Sequence, residues 1–165
     1  MTTVPVLMMA GHRLLGALLT EAKTALLEDD WPDAMDCLQE FWTRLEKHMQ
    51  AEEDILFPTL AKLSPGLTDE LSQRSREHAQ ITELTETLLA RAGEHDRSGC
   101  EQVLNRLQAV LASHCTSDER FAYALSRDVS EGTVRELAGQ LDTGPREAAE
   151  KSTTIVTGAS AHRVH

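Results

Sequence analysis

Apolar residues recur every three or four positions along residues 1–126, which is the spacing of one face of an α-helix. Turn-forming residues interrupt this pattern at 29–32, 64–66 and 96–99. Helices joined by turns this short pack antiparallel to their neighbours, so the pattern predicts an all-α, up-down-up-down four-helix bundle. The four predicted helices span about 5–28, 33–63, 68–95 and 99–126.

Two further features follow from the same pattern. Pro58 lies inside the second predicted helix, and we expect a kink there because proline removes a backbone N–H and clashes with the preceding turn. A shorter fifth helix is predicted over 131–141, with one apolar face to lay against the bundle. Residues 1–142 are therefore predicted to form one bundle domain with a short C-terminal helix, followed by a flexible polar tail over 143–165.

Composition narrows the functional classes. The formal net charge of −11 has the wrong sign for binding a phosphate backbone, so we expect no nucleic-acid partner. His12 and Arg13 break the longest apolar stretch, which is too short to span a bilayer, and no Lys or Arg precedes it as in a secretory signal. We therefore expect no membrane association and a cytoplasmic location. The three cysteines include no CxxC pair, which argues against a disulfide framework or a thiolate zinc site.

One histidine lies well inside each predicted bundle helix: His12, His48, His78 and His114. Counted from the turns that join neighbouring helices, these residues lie at nearly the same height along the bundle. A lone histidine on a helix face is usually an ordinary packing residue, but four at one level can meet in the interior. The sequence therefore predicts that the four imidazoles converge.

Two of these histidines precede a carboxylate by four residues, His48 before Glu52 and His114 before Asp118. Positions i and i+4 share a helix face, so each imidazole and its carboxylate can point to the bundle axis together. Imidazoles and bridging carboxylates without thiolates suit two divalent transition ions. We expect a non-haem di-iron centre, with manganese or zinc as alternatives, and linkage between metal binding and stability. The predicted ligands are His12, His48, Glu52, His78, His114 and Asp118.

Residues 8–126 resemble the hemerythrin-like, or HHE cation-binding, family. The resemblance rests on GHRLL around His12, HMQAEEDILFP over 48–58, REHAQI around His78, and HCTSDE over 114–119. It implies that His12 and His48 bind one iron and that His78 and His114 bind the other. It also implies that Glu52 and Asp118 bridge the two irons.

Two departures from the oxygen-carrying members of that family matter. Those carriers have a further histidine one turn from the position of His78, where this chain has Arg74 four residues before and Thr82 four residues after. The resemblance therefore implies an open coordination position. The carriers also place the last carboxylate five residues after its histidine, which would select Glu119, whereas helix geometry favours Asp118. Glu53, Glu77 and Thr82 are candidates to support the ligands or deliver protons, although exposed ion pairs are the usual role of such glutamates.

These features predict a protein that binds dioxygen, nitric oxide or peroxide, or iron itself, for sensing, storage or scavenging. The alternative is a redox enzyme that reduces peroxide or nitric oxide. A third hypothesis is a metal-free interaction bundle that recruits a basic partner through its acidic surface. The sequence identifies no electron donor and no protein partner.

Overall fold

The computed structural model describes residues 3–125 and 127–141, with the side chains of residues 124 and 125 left undescribed. Within these ranges there is no strand, and the all-α prediction is confirmed. The predicted tail over 143–165 lies outside the described residues. The elements are α1 (Val4–Leu27), α2 (Trp31–Ala51), a π-helical turn (Glu52–Leu56), α3 (Phe57–Leu63), a 3₁₀ turn (Pro65–Leu67), α4 (Thr68–Gly93), α5 (Arg97–Leu125) and α6 (Glu131–Gln140).

Four rods form the bundle, because the π-helical turn joins α2 and α3 into one. Helix α1 packs against α2 and α5, and α4 packs against the same two neighbours, which closes the ring. The predicted short helix after the bundle is present as α6, which lies against α1, α2 and the π-helical turn.

Backbone conformation and local capping define the turns. Asp29 and His95 adopt the left-handed conformation, with φ of 57° and 55°, and so end α1 and α4 sharply. Asp30 caps α2 by accepting a hydrogen bond from the amide of Asp33 at 3.1 Å. At the start of α5, Asp96 is the capping residue and accepts a hydrogen bond from the amide of Gly99 at 2.9 Å. The helix consequently begins two residues earlier than predicted.

Pro58 is accommodated by the π-helical turn that precedes it. Proline has no N–H to donate, and its ring would collide with the carbonyl four residues earlier in a regular helix. The turn over Glu52–Leu56 is wider, and the amide of Phe57 donates to the carbonyl of Glu52, five residues back. The break in helix geometry expected from Pro58 therefore takes the form of a π-helical turn, and this turn carries Glu52.

The apolar core forms two separate clusters, one toward each end of the bundle. The larger cluster includes Leu19, Phe41 and Leu107, and the smaller one includes Met8 and Leu56. Leu137 of α6 is fully buried in the smaller cluster, so α6 covers that end of the bundle. None of the described helices combines the length and the apolarity that crossing a bilayer requires.

Candidate metal centre

Six ionisable side chains lie between the two apolar clusters. All six are at least nine-tenths buried, although residues of these types are mostly exposed in folded proteins. They are the six side chains that the sequence singled out: His12, His48, Glu52, His78, His114 and Asp118. The structure therefore brings the histidines of four rods to one level, and their position leaves them shielded from water.

The first group of potential ligand atoms belongs to His12, His48 and Glu52, which lie within 4.8 Å of one another. The imidazole rings of His12 and His48 are tilted, with centroids 4.8 Å apart. His48 Nε2 lies 3.2 Å from Glu52 Oε1. Three donor atoms this close together can share one ion.

The second group belongs to Glu52, His78 and His114, again within 4.8 Å of one another. His78 Nε2 lies 2.9 Å from Glu52 Oε2 and 3.1 Å from His114 Nε2. Glu52 is thus common to both groups and offers one oxygen to each. Its position on the π-helical turn places it between the two pairs of histidines.

Asp118 lies beside the second group. Its Oδ2 is 2.8 Å from His114 Nε2, and the side chain is almost completely buried. The two compact groups of ligand atoms do not include it. The structure therefore places Asp118 at the site through His114, and its role as a second bridge stays a prediction.

Several buried atoms at the centre have no hydrogen-bond partner. They are Nε2 of His12, Nε2 of His48, and both carboxylate oxygens of Glu52 and of Asp118. Two of these atoms, His48 Nε2 and Glu52 Oε1, lie at ion-pair distance without forming a hydrogen bond. Leaving buried polar groups unsatisfied costs roughly 1–3 kcal/mol each, so native proteins rarely do so. Lone pairs directed at a common point fit a bound cation.

The outer nitrogens of three histidines contact carboxylates. His12 Nδ1 donates to Glu119 at 2.9 Å, His78 Nδ1 to Glu53 at 2.7 Å, and His114 Nδ1 to Glu77 at 3.0 Å. Such a contact keeps the proton on Nδ1, directs the Nε2 lone pair inward and makes the imidazole a stronger ligand.

These contacts involve glutamates whose roles the sequence left open. Glu119, the alternative to Asp118 as a ligand, supports His12 from outside. Glu53 and Glu77 were expected mainly in exposed ion pairs, but both contact the histidines; Glu77 also pairs with Arg74. The side chain of Thr82 forms no hydrogen bond or ion pair with another described residue, and its role stays a prediction.

His48 is fixed by packing on Gly11, a residue whose role the histidine and carboxylate spacing did not predict. A Cβ at Gly11 would lie 2.8 Å from His48 Nδ1 and 2.9 Å from its Cε1, closer than real contacts allow. The imidazole of His48 therefore occupies space that a side chain at residue 11 would fill. The GHR sequence contained the signal, since a glycine inside a helix often marks a close approach.

We expect Gly11→Ala to displace His48 and to weaken cation binding by the group of His12, His48 and Glu52. The matched control is Gly16→Ala on the same helix, where an added Cβ meets nothing within 4 Å. Both changes gain helix propensity of about 1 kcal/mol, so only the clash separates them. Bound metal per chain and the midpoint of thermal unfolding measure the effects. Equal metal content in the two variants would contradict this role of Gly11.

Burial and mutual charge shift the pKa values at the centre. Burial and the neighbouring His48 lower the pKa of His12. Burial opposes ionisation of Glu52, but the three adjacent histidines outweigh it and hold the pKa of this carboxyl well below its usual range. Burial likewise lowers the pKa of His114, but contacts with Asp118 and Glu52 raise it to about 10.

The remaining titratable groups near the centre behave differently. Burial and the charge of Glu52 raise the pKa of Asp118 to about 6. Burial and Asp118 also raise the pKa of Cys115, so this thiol stays neutral, and its side chain packs against the larger apolar cluster. Cys115 is therefore a packing residue, and the donor atoms of the candidate centre are nitrogen and oxygen.

Comparison with known proteins supports this chemistry. The family model described as "Hemerythrin HHE cation binding domain" matches residues 5–125, which include the whole candidate centre. No curated protein and no solved structure matches the chain.

Proposed function

Since the chain belongs to the hemerythrin HHE cation-binding domain family, we propose that its buried centre holds two adjacent iron ions. One ion takes His12, His48 and Glu52, and the other takes Glu52, His78 and His114. Asp118 is the proposed second bridge. The observation that carries this proposal is Glu52, a fully buried carboxylate with one oxygen toward each pair of histidines.

The carboxylate shared by the two groups of ligands favours iron. Imidazoles and carboxylates suit iron, manganese and zinc, and a carboxylate shared by two ions is typical of di-iron sites in helical bundles. A bound cation would account for the buried atoms at the centre that lack a hydrogen-bond partner. A ferrous pair with an open coordination position would supply both a binding place and electrons for dioxygen, nitric oxide or peroxide. Such chemistry serves sensing, storage or scavenging.

The open position is expected beside His78 and His114. Arg74 lies one helical turn before His78, where a further histidine would supply another nitrogen ligand. A guanidinium stays protonated and has no lone pair for a metal. The protein therefore leaves one coordination position near this histidine pair without a side-chain donor, and a small molecule can take it.

Reconstitution with ferrous iron under anaerobic conditions tests the proposal. We expect two irons per chain and, on adding dioxygen or nitric oxide, a charge-transfer band that reverses when the gas is removed. Manganese and zinc added in competition report metal preference. Irreversible oxidation with sustained consumption of peroxide or nitric oxide would instead favour a redox enzyme. Protein that binds no metal at all would overturn the proposal.

Substitutions of Glu119 and of Asp118 are expected to have different effects on metal binding. Asp118→Asn removes a proposed ligand and should abolish binding of at least one cation. Glu119→Gln keeps a hydrogen-bond acceptor for His12 but loses the charge, so we expect full occupancy at saturation with affinity reduced by roughly 10- to 100-fold. Competition with a chelator measures the affinities.

Glu86→Gln, an exposed change on α4, is the control for loss of one negative charge. If Glu119→Gln lowered the number of bound metals at saturation and Asp118→Asn did not, the two assignments would be reversed.

A further inference from the structure

A cavity of about 450 Å³ lies between α4 and α5, one helical turn beyond His78 and His114. It is lined by Arg74 of α4 and by Ser117, Arg120 and Phe121 of α5. Two arginines on different helices thus line one space, in a chain whose formal net charge is −11. The cavity is therefore a local positive site on an acidic protein.

The guanidinium of Arg74 is incompletely paired. Its Nη1 lies 2.9 Å from Glu77 Oε2, yet Nε and Nη1 are both buried and neither forms a hydrogen bond with a described residue. The side chain is only 14% exposed, so water cannot readily satisfy these donors. Unsatisfied buried donors are rare in native proteins, so Arg74 has unused hydrogen-bonding capacity beside the cavity.

Arg120 and Phe121 complete the lining. Arg120 is exposed and has no ion pair with any residue that the structure describes. Phe121 is half-buried and supplies an aromatic wall. A guanidinium fork matches the two oxygens of a carboxylate, and an aromatic ring packs against an apolar ligand body.

We propose that this cavity binds a small organic carboxylate. Its charged end would lie between Arg74 and Arg120, and its apolar part would pack on Phe121. Glu77 already offsets part of the charge of Arg74, and the whole chain is acidic, so a singly charged carboxylate fits better than a doubly charged phosphate. The site does not depend on a metal, because no proposed metal ligand lines the cavity.

The cavity is nevertheless connected to the metal centre. Glu77 Oε2 lies 2.9 Å from Arg74 Nη1 and 3.0 Å from His114 Nδ1, so one oxygen serves both side chains. A carboxylate that pairs with Arg74 draws positive charge away from Glu77 and strengthens its contact with His114. Occupancy of the cavity should therefore raise the affinity of the second group for a cation.

Calorimetric titration of the full chain with benzoate tests the proposal, first after removal of metal and then with ferrous iron bound. Acetate and inorganic phosphate are the comparison probes. We expect saturable binding of benzoate in both states, weaker binding of acetate, and shifts of the Ser117 and Phe121 amide resonances. Binding of phosphate more tightly than benzoate would overturn the proposed ligand class.

Arg74→Met and Arg120→Met should each weaken benzoate binding by at least about tenfold, as expected for loss of a charge-assisted hydrogen bond. Arg106→Met, an exposed change on α5 away from the cavity, removes the same charge and should leave binding unchanged. Arg120 is exposed, so its variant is expected to fold even if Arg74→Met does not.

Equal weakening by all three variants would overturn the site, because it would indicate general charge attraction. Benzoate binding that requires iron and is insensitive to Arg120→Met would also overturn it, while leaving the proposed di-iron function intact. Benzoate binding by a protein that takes up no metal would support the cavity site and contradict the proposed di-iron function.

Discussion

Removal of the bound metal should lower the midpoint of thermal unfolding by about 20 °C. A ligand present at a thousand times its dissociation constant stabilises the folded state by about 4 kcal/mol, so two ions contribute about 8 kcal/mol. Six buried ionisable side chains between the two apolar clusters make this dependence large, because without cations they repel, lack partners or take up protons. Thermal unfolding of iron-loaded and chelator-treated protein, followed by circular dichroism, measures the difference.

The chelator itself needs a control. In Glu52→Gln, which is expected to bind little metal, chelator treatment should leave the midpoint unchanged. Identical midpoints for loaded and metal-free wild type would show that the centre contributes nothing to stability, and would contradict metal binding at this site.

Glu52→Gln is expected to remove both cations, the largest effect of any single substitution at the centre. The amide keeps the size of the side chain but supplies only one weak, uncharged oxygen donor, and two groups of ligands depend on this residue. His12 and His114 each belong to only one group of ligands, so His12→Gln and His114→Gln should each remove only one cation. Metal per chain, measured after gel filtration, distinguishes these outcomes.

Glu46→Gln is the matched control on the same helix, since Glu46 is exposed and outside the centre. It should bind metal as wild type does. Retention of one metal by Glu52→Gln would mean that Glu52 serves a single ion, and that the shared position belongs to another residue.

The sequence predicted the rods and their alignment because helical spacing and turn residues act locally. His12 and His48 could be placed at one height by counting residues from the turn between them, since each residue of a helix adds a fixed rise. The same reasoning predicted that Asp118 faces inward with His114, and the structure places it 2.8 Å away.

Contacts between helices were harder to predict. Glu119, Glu53 and Glu77 each support a histidine from a different helix, and a single sequence does not specify how neighbouring rods rotate about their axes. The close approach of His48 to Gly11 was missed for the same reason, since it also depends on how two helices rotate about their axes. The π-helical turn was missed because Pro58 predicted a disturbance without specifying its form.

The supporting carboxylates are distributed unequally between the two proposed ions. In the second group, Glu53 contacts His78 and Glu77 contacts His114, whereas in the first group Glu119 contacts His12 and His48 packs on Gly11. The second position should consequently fill first. When iron is scarce, most chains would then carry a single ion, and the fraction able to react as a pair would follow the iron supply.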